Sequence, residues 1–377
     1  MTKAYQICSR CIMDSTDPDI VFDADGICNH CKGWFKRAPF YSLPVEERTR
    51  QLQALVGEMQ QRGRGRDYDC IIGVSGGVDS SFLAIKVKEL GLRPLAIHVD
   101  NGWNSEKAVG NIKRLLDALQ IDLATVVLNW REFRELQLAF LRAATPDSEI
   151  PSDHAIVASF YNASAQHHIG YCISGINFRT EGIHVREWSQ GHLDGRYIKS
   201  VYKRFTGKRL RYFPVIPLMR LVFNIVLHRP RTIFMLDYLD YDKAAAKQLL
   251  MQQYGWEDYG GKHYESLYTK FYQGWILPHR FGYDKRRMHL STLICSGQMT
   301  RAEALAEIAL PPYPPDMVEP DKEFVAKKLG VSRAEFDAIM AAPPRRYMDY
   351  PNLQNHWVFG RGLDLYRFLR HKMRWIR

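Results

Sequence analysis

Apolar positions along the first half of the chain follow two different periods. Over residues 45–61, Leu52, Leu55, Val56 and Met59 fall on one face at helical spacing, which predicts a helix. The basic run Arg62-Gly63-Arg64-Gly65-Arg66 breaks that pattern and reads as a linker. Short apolar runs then alternate with longer amphipathic ones. Strands are expected over 69–74, 94–99, 123–128 and 171–174, and helices over 80–90, 105–119, 132–143 and 153–167. Strands and helices in that alternation predict an α/β fold with a parallel, doubly wound sheet covered on both faces. From Tyr202 onward the chain is rich in Arg, Tyr and Pro and reads as mostly helical, with a proline-rich break over 311–320 before a last helical segment.

Composition narrows the class. The chain has 377 residues, 46% of them hydrophobic and 25% charged, which excludes global disorder and allows two or three domains. There is no uncharged apolar run of about 18 residues, so no membrane-spanning helix is expected. The nearest candidate, 213–227, is interrupted by two prolines, Arg220 and Asn224. The first residues lack the charged-then-apolar pattern of a signal peptide, so a cytoplasmic location is expected. The net charge of +11 suits an anionic partner: a nucleotide, a sugar nucleotide, RNA or an anionic membrane face.

Four of the seven cysteines form two close pairs, Cys8/Cys11 and Cys28/Cys31, sixteen residues apart. In a reducing compartment this spacing predicts a closed tetrahedral thiolate set for a structural zinc, with four reduced thiols or an iron–sulfur centre as alternatives. The intervening residues 14–26 read as a short β-hairpin, and His30 as exposed and not a ligand. Cys70, Cys172 and Cys295 lie in or beside apolar runs and are expected to be buried packing residues.

The stretch Ile71-Ile72-Gly73-Val74-Ser75-Gly76-Gly77-Val78-Asp79-Ser80-Ser81 runs from an apolar strand through Ser-Gly-Gly directly into a helix. Glycines let backbone N–H groups turn around an anion, and the helix start adds its positive dipole end. Asp79, in the first helical turn, is placed to hold Mg²⁺ beside a phosphate. The G-x-x-x-x-G-K-[ST] pattern of the common triphosphatase loop is missing. The hexapeptide Ser75 to Ser80, S-G-G-V-D-S, resembles the pyrophosphate loop of the N-type ATP pyrophosphatases, the adenine nucleotide alpha-hydrolase fold. That resemblance implies ATP cleavage at the α-phosphate. It implies ATP contacts from Ser75, Gly76, Gly77, Asp79, Ser80, from Asp100 at the end of the second strand, and from Gly175 after the fourth.

Three further motifs are Gly175-Ile176-Asn177-Phe178-Arg179-Thr180-Glu181-Gly182, Gly260-Gly261-Lys262-His263-Tyr264-Glu265-Ser266, and the basic block starting Phe281-Gly282-Tyr283-Asp284-Lys285-Arg286-Arg287. With the cysteine ribbon, they make the chain similar, from residue 5 to about 310, to the N-acetyl sugar amidotransferases of bacterial lipopolysaccharide O-antigen, pseudaminic and legionaminic acid synthesis. This family resemblance implies that ATP activates the amide oxygen of a UDP-linked acetamido sugar, a diacetamido uronic acid in related pathways. Ammonia then displaces AMP to give an acetamidino group. The cofactors implied are ATP, Mg²⁺ and structural Zn²⁺. Asp79, Lys285 and Arg286 are the expected catalytic groups. Asn177, Arg179, Glu181, Lys262, His263, Glu265 and Arg287 are expected at the acceptor, with Glu181 or Glu265 as a proton acceptor. Plain structural alternatives stand beside several of these: a helix cap for Asn177, a capping role for Asp100, a solvated helix face for 285–287, and a surface histidine for His263.

The resulting division is a zinc ribbon over 1–40, a helix and linker over 41–66, and the pyrophosphatase domain over 67–215. A helical part completing the site covers 216–310, and a helical segment covers 311–377. No glutaminase nucleophile is evident, so a separate class I glutaminase is the expected ammonia source, with no nucleic-acid partner. A tRNA thiolase or lysidine-type ligase of the same superfamily is the alternative. Residues 357–377 carry Arg367, Arg370, Arg374 and Arg377 beside an apolar stripe and read as a basic amphipathic helix packed on the body.

Overall fold

The computed structural model describes residues 4–41, 43–227, 230–261 and 264–356. The basic helix expected over 357–377 lies outside them, as do Lys262 and His263.

The chain opens with the cysteine knuckles, followed by α1 (Asn29–Tyr41) and α2 (Val45–Arg62). The sheet region follows as β1 (Cys70–Gly73), α3 (Val78–Glu89), β2 (Pro94–Asp100), α4 (Glu106–Leu119), β3 (Asp122–Val127), α5 (Trp130–Ala143), α6 (Ile150–Gln166), β4 (Tyr171–Ser174) and α7 (Phe178–Glu181). Then come α8 (Gly195–Thr206), α9 (Leu218–Leu227) and β5 (Arg231–Phe234). The remaining α-helices are α10 (Lys243–Tyr254), α11 (Leu267–Phe271), α12 (Arg286–Cys295), α13 (Arg301–Ala309), α14 (Val318–Leu329) and α15 (Arg333–Ala341), with a π-helical stretch, Tyr272–Phe281, continuing α11.

The five strands form one parallel sheet in the order β3-β2-β1-β4-β5. Alternation along each strand assigns its two faces. Cys70, Ile72, Ala96, Tyr171, Ile173 and Ile233 join α2, α3, α4 and α10 in one apolar cluster. Ile71, Leu95, Ile97 and Cys172 face the other way, onto Phe160 and Ala163 of α6. A separate core of α5, α8, α11, α14 and α15 is filled by aromatics such as Phe133, Phe140, Tyr197, Tyr268, Phe271 and Phe336.

Two expectations are corrected. The fifth strand, Arg231–Phe234, lies in the part read as helical, past residue 215 where the sheet domain was expected to close. Only Ile233 of its four residues is buried, so it lacks the apolar run that marks the inner strands. Residues 14–26 form no hairpin ladder; only the isolated pairings Ile7↔Asp14 and Phe22↔Cys28 occur there. Aspartate side chains take up the backbone donors instead. Asp17 accepts from the Asp19 N–H at 2.9 Å, and Asp23 from those of Asp25 and Ile27 at 3.0 and 2.8 Å. Such side-chain turns compete directly with strand pairing.

Candidate active site

The strand order reverses between β1 and β4, and open parallel sheets bind ligands at the carboxyl ends of strands flanking such a switch point. A cleft of about 310 Å³ opens there. Its floor combines Ser75, Gly77, Asp79 and Ser80, after β1, with Ser174, Gly175 and Ile176, after β4.

The loop holds its shape through its own hydroxyls. Ser75 Oγ accepts the Gly77 N–H at 3.2 Å, and Ser80 Oγ donates to the Gly77 carbonyl at 3.1 Å. Gly76 adopts φ +80°, and a Cβ there would lie 2.4 Å from the Ala108 carbonyl oxygen, so only glycine fits. The Trp256 indole N–H donates to the Gly76 carbonyl at 3.0 Å and pins the loop from above. The N-cap Gly77 offers no side chain to cap α3, and Val78, Asp79 and Ser80 of its first turn line the cleft, the place where a helix start can take an anion.

Asp79 lies on the cleft wall. The buried Tyr241 hydroxyl donates to its Oδ1, and Lys243 Nζ lies 3.7 Å from its Oδ2. Burial, then the Asp79 charge, pushes the Tyr241 hydroxyl far up, so it remains a neutral donor. One turn along α10, Lys247 also lines the cleft and pairs with Asp258 at 2.5 Å. Neither lysine was singled out in the sequence. A helix beginning Lys-Ala-Ala-Ala-Lys carries no motif, and only the packing of α10 against α3 brings both ammonium groups to the loop.

The residues expected from sequence divide. Ser75, Gly77, Asp79, Ser80, Gly175, Glu181 and Glu265 line the cleft, while Gly76 supplies the turn beneath it. Glu265 is delivered by a backbone bond from the Ser105 N–H to its carbonyl at 2.8 Å and by the Asn104↔Ser266 bridge. Lys285 lines an adjoining groove of about 340 Å³ together with His184, Ser189, His192, Gln273 and His289. Ile176 and Glu181 border both spaces, so cleft and groove adjoin.

Other residues are engaged elsewhere. Asp100 does not line the cleft; its carboxylate accepts the Gly102 N–H at 2.8 Å and shapes the turn after β2. Asn177 is buried and caps α7, accepting from the Thr180 N–H at 2.9 Å. Arg179 faces Asp240 at 3.5 Å. Arg286 grips Asp284 at 2.7 Å and the Leu310 carbonyl at 3.0 Å. Arg287 pairs with the buried Asp14 at 2.9 Å and donates to the Ile12 carbonyl at 2.8 Å. Both guanidinium groups thus bind the molecule together and neither lines the cleft or the groove.

The four ribbon cysteines are fully buried, with their sulfurs all within 4.8 Å of one another. Cys8–Cys31 and Cys11–Cys28 are 3.9 and 3.7 Å apart. Tetrahedral zinc with Zn–S of about 2.3 Å separates sulfurs by about 3.8 Å, so this set fits the ion. Backbone N–H groups of Met13, Cys28 and Cys31 point at the sulfurs at 3.3–3.4 Å, which favours thiolates. His30 is not a ligand, but it is half-buried and bonds Asp17 at 2.5 Å. Cys295 Sγ lies 3.8 Å from Cys31 Sγ, so this cysteine belongs to the surroundings of the metal set. Cys70 and Cys172 are buried in the sheet, and burial pushes the Cys172 thiol up to about 12.

Residues 265–364 match the family model described as "LPS biosynthesis protein WbpG-like, C-terminal domain". No curated protein matches the chain. Among solved structures, NMN synthetase from Francisella tularensis is 16% identical, over 51% of this chain and 98% of that one, with a TM-score of 0.30. The NH3-dependent NAD synthetase from Campylobacter jejuni is 12% identical, over 81% of this chain and 99% of that one, with a TM-score of 0.33. The fold is defined by this chain's own strand order and loop. The matched segment contributes Gln273, Lys285, Met288 and His289 to the groove.

Proposed function

We propose that the protein is an ATP-dependent amidating synthetase. It adenylates the N-acetyl amide oxygen of a UDP-linked acetamido sugar, with a diacetamido uronic acid as the favoured acceptor, and replaces that oxygen with ammonia. The observation that carries this reading is the adjacency of two spaces. An anion cradle of the S-G-G-V-D-S type shares Ile176 and Glu181 with a groove walled by the segment that matches the WbpG-like model and lined by Lys285, His289 and Gln273.

In this reading the loop N–H groups, Ser75 and the start of α3 hold the β- and γ-phosphates, and Lys243 and Lys247 offset their charge. The acceptor amide oxygen bonds to the α-phosphorus, the bond to the β-phosphate bridging oxygen breaks, and pyrophosphate leaves. Ammonia then bonds to the activated carbon, the carbon–oxygen bond breaks, and AMP departs. Asp79, on the loop itself, would hold Mg²⁺, an ion that takes one or two carboxylates plus phosphate oxygens and would neutralise the leaving pyrophosphate. Lys285, at the groove, suits a sugar carboxylate or a UDP phosphate.

The zinc set has four protein sulfurs and no open position, so its role is structural. Arg287 and Arg301 stitch it to α12 and α13, the latter donating to the Cys8 and Cys11 carbonyls at 3.0 and 3.1 Å. A tRNA thiolase would need an accessible thiol near the cleft. Cys70 and Cys172 are buried, and Cys295 packs against the metal set, which favours the sugar reading. Ammonia is expected from a separate class I glutaminase.

The test is incubation with ATP, Mg²⁺, ammonium and a panel of UDP-N-acetyl sugars, followed by mass spectrometry. A product lighter by the exchange of O for NH, formed with stoichiometric AMP, supports the reading. AMP formation stimulated only by tRNA would replace it with the alternative.

A further inference from the structure

Beyond the cleft, a chain of polar groups runs along the groove wall. The buried Asp147 carboxylate accepts the Ser189 hydroxyl through Oδ2 and the Glu149 N–H through Oδ1 at 2.9 Å. Ser189 Oγ in turn lies 2.7 Å from His192 Nε2. Because the serine proton goes to Asp147, the serine oxygen accepts from His192, which places a hydrogen on Nε2. His192 Nδ1 then faces Oδ2 of Asp153 at 3.5 Å. The His192 backbone is fixed from below, since its carbonyl accepts from His154 Nδ1 at 2.7 Å.

This chain meets the groove at one end and lies one helical turn from the cleft lining at the other. Ser189 and His192 line the groove with Lys285. Asp153 lies on α6 in register with Ile156 and Phe160, at i, i+3 and i+7, and those two line the loop cleft. The charged and titratable groups facing the pair are Asp147 and Glu149 before α6, His184 after α7, and Lys285 before α12. The titration of Asp153 is raised, by desolvation first and by Asp147 and Glu149 next, with Lys285 opposing. Since 48% of its side chain is exposed, solvent tempers both.

We infer that the Asp153–His192 pair, oriented by Ser189 and Asp147, is the proton acceptor for the nitrogen nucleophile. Neutral solution supplies ammonium, which has no lone pair to attack with. The acidic surroundings attract that cation, and a proton moves from it to the Nδ1/Oδ2 pair while the bonding electrons stay on nitrogen. The resulting ammonia forms the C–N bond at the activated amide carbon, which keeps its own N–H. The adduct sheds a second proton to the departing AMP phosphate, the C–O bond breaks, and the product leaves as an amidinium. This assignment rests on the amidating reading above and places the proton acceptor on this pair in place of the Glu181 or Glu265 expected from sequence.

The experiment compares two nucleophiles in the full-length zinc-loaded protein. Ammonium must lose a proton before attack, whereas hydroxylamine arrives largely unprotonated at neutral pH. His192→Gln and Asp153→Asn are each expected to slow ammonium-dependent product formation about 100-fold, the usual size of a general-base contribution. Hydroxylamine-dependent turnover and acceptor-dependent exchange of pyrophosphate into ATP should stay near wild type. Equal loss with both nucleophiles would overturn the proton role and leave a structural one. An additional equivalent of bound metal that is lost in His192→Gln would also overturn it, in favour of a metal site. Failure of the wild-type protein to exchange pyrophosphate with any nucleotide sugar would instead overturn the amidating reading itself.

Discussion

Lys243 Nζ lies 3.7 Å from Oδ2 of Asp79, so an ammonium group that begins α10 faces the carboxylate of the phosphate loop more than 160 residues earlier. The pair is partly exposed, with side-chain exposures of 31% and 23%, and a pair of that kind adds only about 1 kcal/mol or less to stability. In the proposed reaction its position on the cleft wall would hold charge where pyrophosphate develops it. Lys243→Ala is therefore expected to lower pyrophosphate release about 100-fold while shifting the denaturation midpoint little. Release assays and denaturant unfolding on the same samples check this. Undiminished release would remove Lys243 from the chemistry.

Asp79→Ala makes the complementary case. It deletes the acceptor of the Tyr241 hydroxyl and the only S-G-G-V-D-S side chain with charge. AMP and pyrophosphate formation should fall below detection, with circular dichroism unchanged. Retained AMP formation would show that phosphate contacts alone are sufficient.

The metal set makes a prediction about thiol chemistry. Cys295 Sγ sits 3.8 Å from Cys31 Sγ, and all five cysteines of this region are buried. A thiol reagent should leave them unmodified in the zinc-loaded protein. After chelation Cys8, Cys11, Cys28, Cys31 and Cys295 should react together, because metal binding supplies the folding energy of such small lobes. Mass spectrometry of the labelled protein reads the count. Modification of Cys295 alone before chelation would separate it from the metal set.

Much of this was legible in the sequence, for reasons specific to each element. β1, β2 and β4 are inner strands, and their uninterrupted apolar runs announce them. The loop was legible because glycine and serine at fixed spacing have a backbone reason. β5 was not, because an edge strand with one buried residue has no signature. The basic block 285–287 was visible as charge, but sequence does not tell where a guanidinium goes. Arg286 and Arg287 found Asp284 and Asp14, leaving Lys285 at the groove. Lys243, Lys247 and Trp256 reach the cleft only through tertiary packing.

Glu132 shows how the helical part is locked. This buried carboxylate, in the first turn of α5, accepts the N–H groups of Arg211, Tyr212 and Phe213 at 2.6, 2.8 and 2.5 Å. Glu132→Gln replaces an acceptor oxygen with a donor facing those N–H groups. It should cost about 2–3 kcal/mol of stability. Denaturant unfolding measures it, and a loss near zero would mean the segment 211–213 repacks freely.

His154 gives a pH dependence. Its Nε2 accepts the Ile216 N–H at 2.9 Å and its Nδ1 donates to the His192 carbonyl, an arrangement only the neutral ring can make. Burial lowers its pKa from 6.5 to about 4. The unfolded chain therefore binds a proton between those values that the folded chain does not. Stability from this group is present above pH 6.5 and is lost as pH falls toward about 4, by up to roughly 3 kcal/mol. His154→Gln should flatten that slope in unfolding measured across the window. An unchanged slope would assign it to other groups.

The central claim is that the acceptor's own amide oxygen is activated by transfer of AMP. An acceptor carrying heavy oxygen in its N-acetyl carbonyl, turned over with ATP and ammonium, tests it most directly. The account predicts that the label appears in the phosphate of AMP, with pyrophosphate unlabelled and the product free of it. Label in inorganic phosphate with ADP as the co-product, or label retained in the sugar, would contradict it.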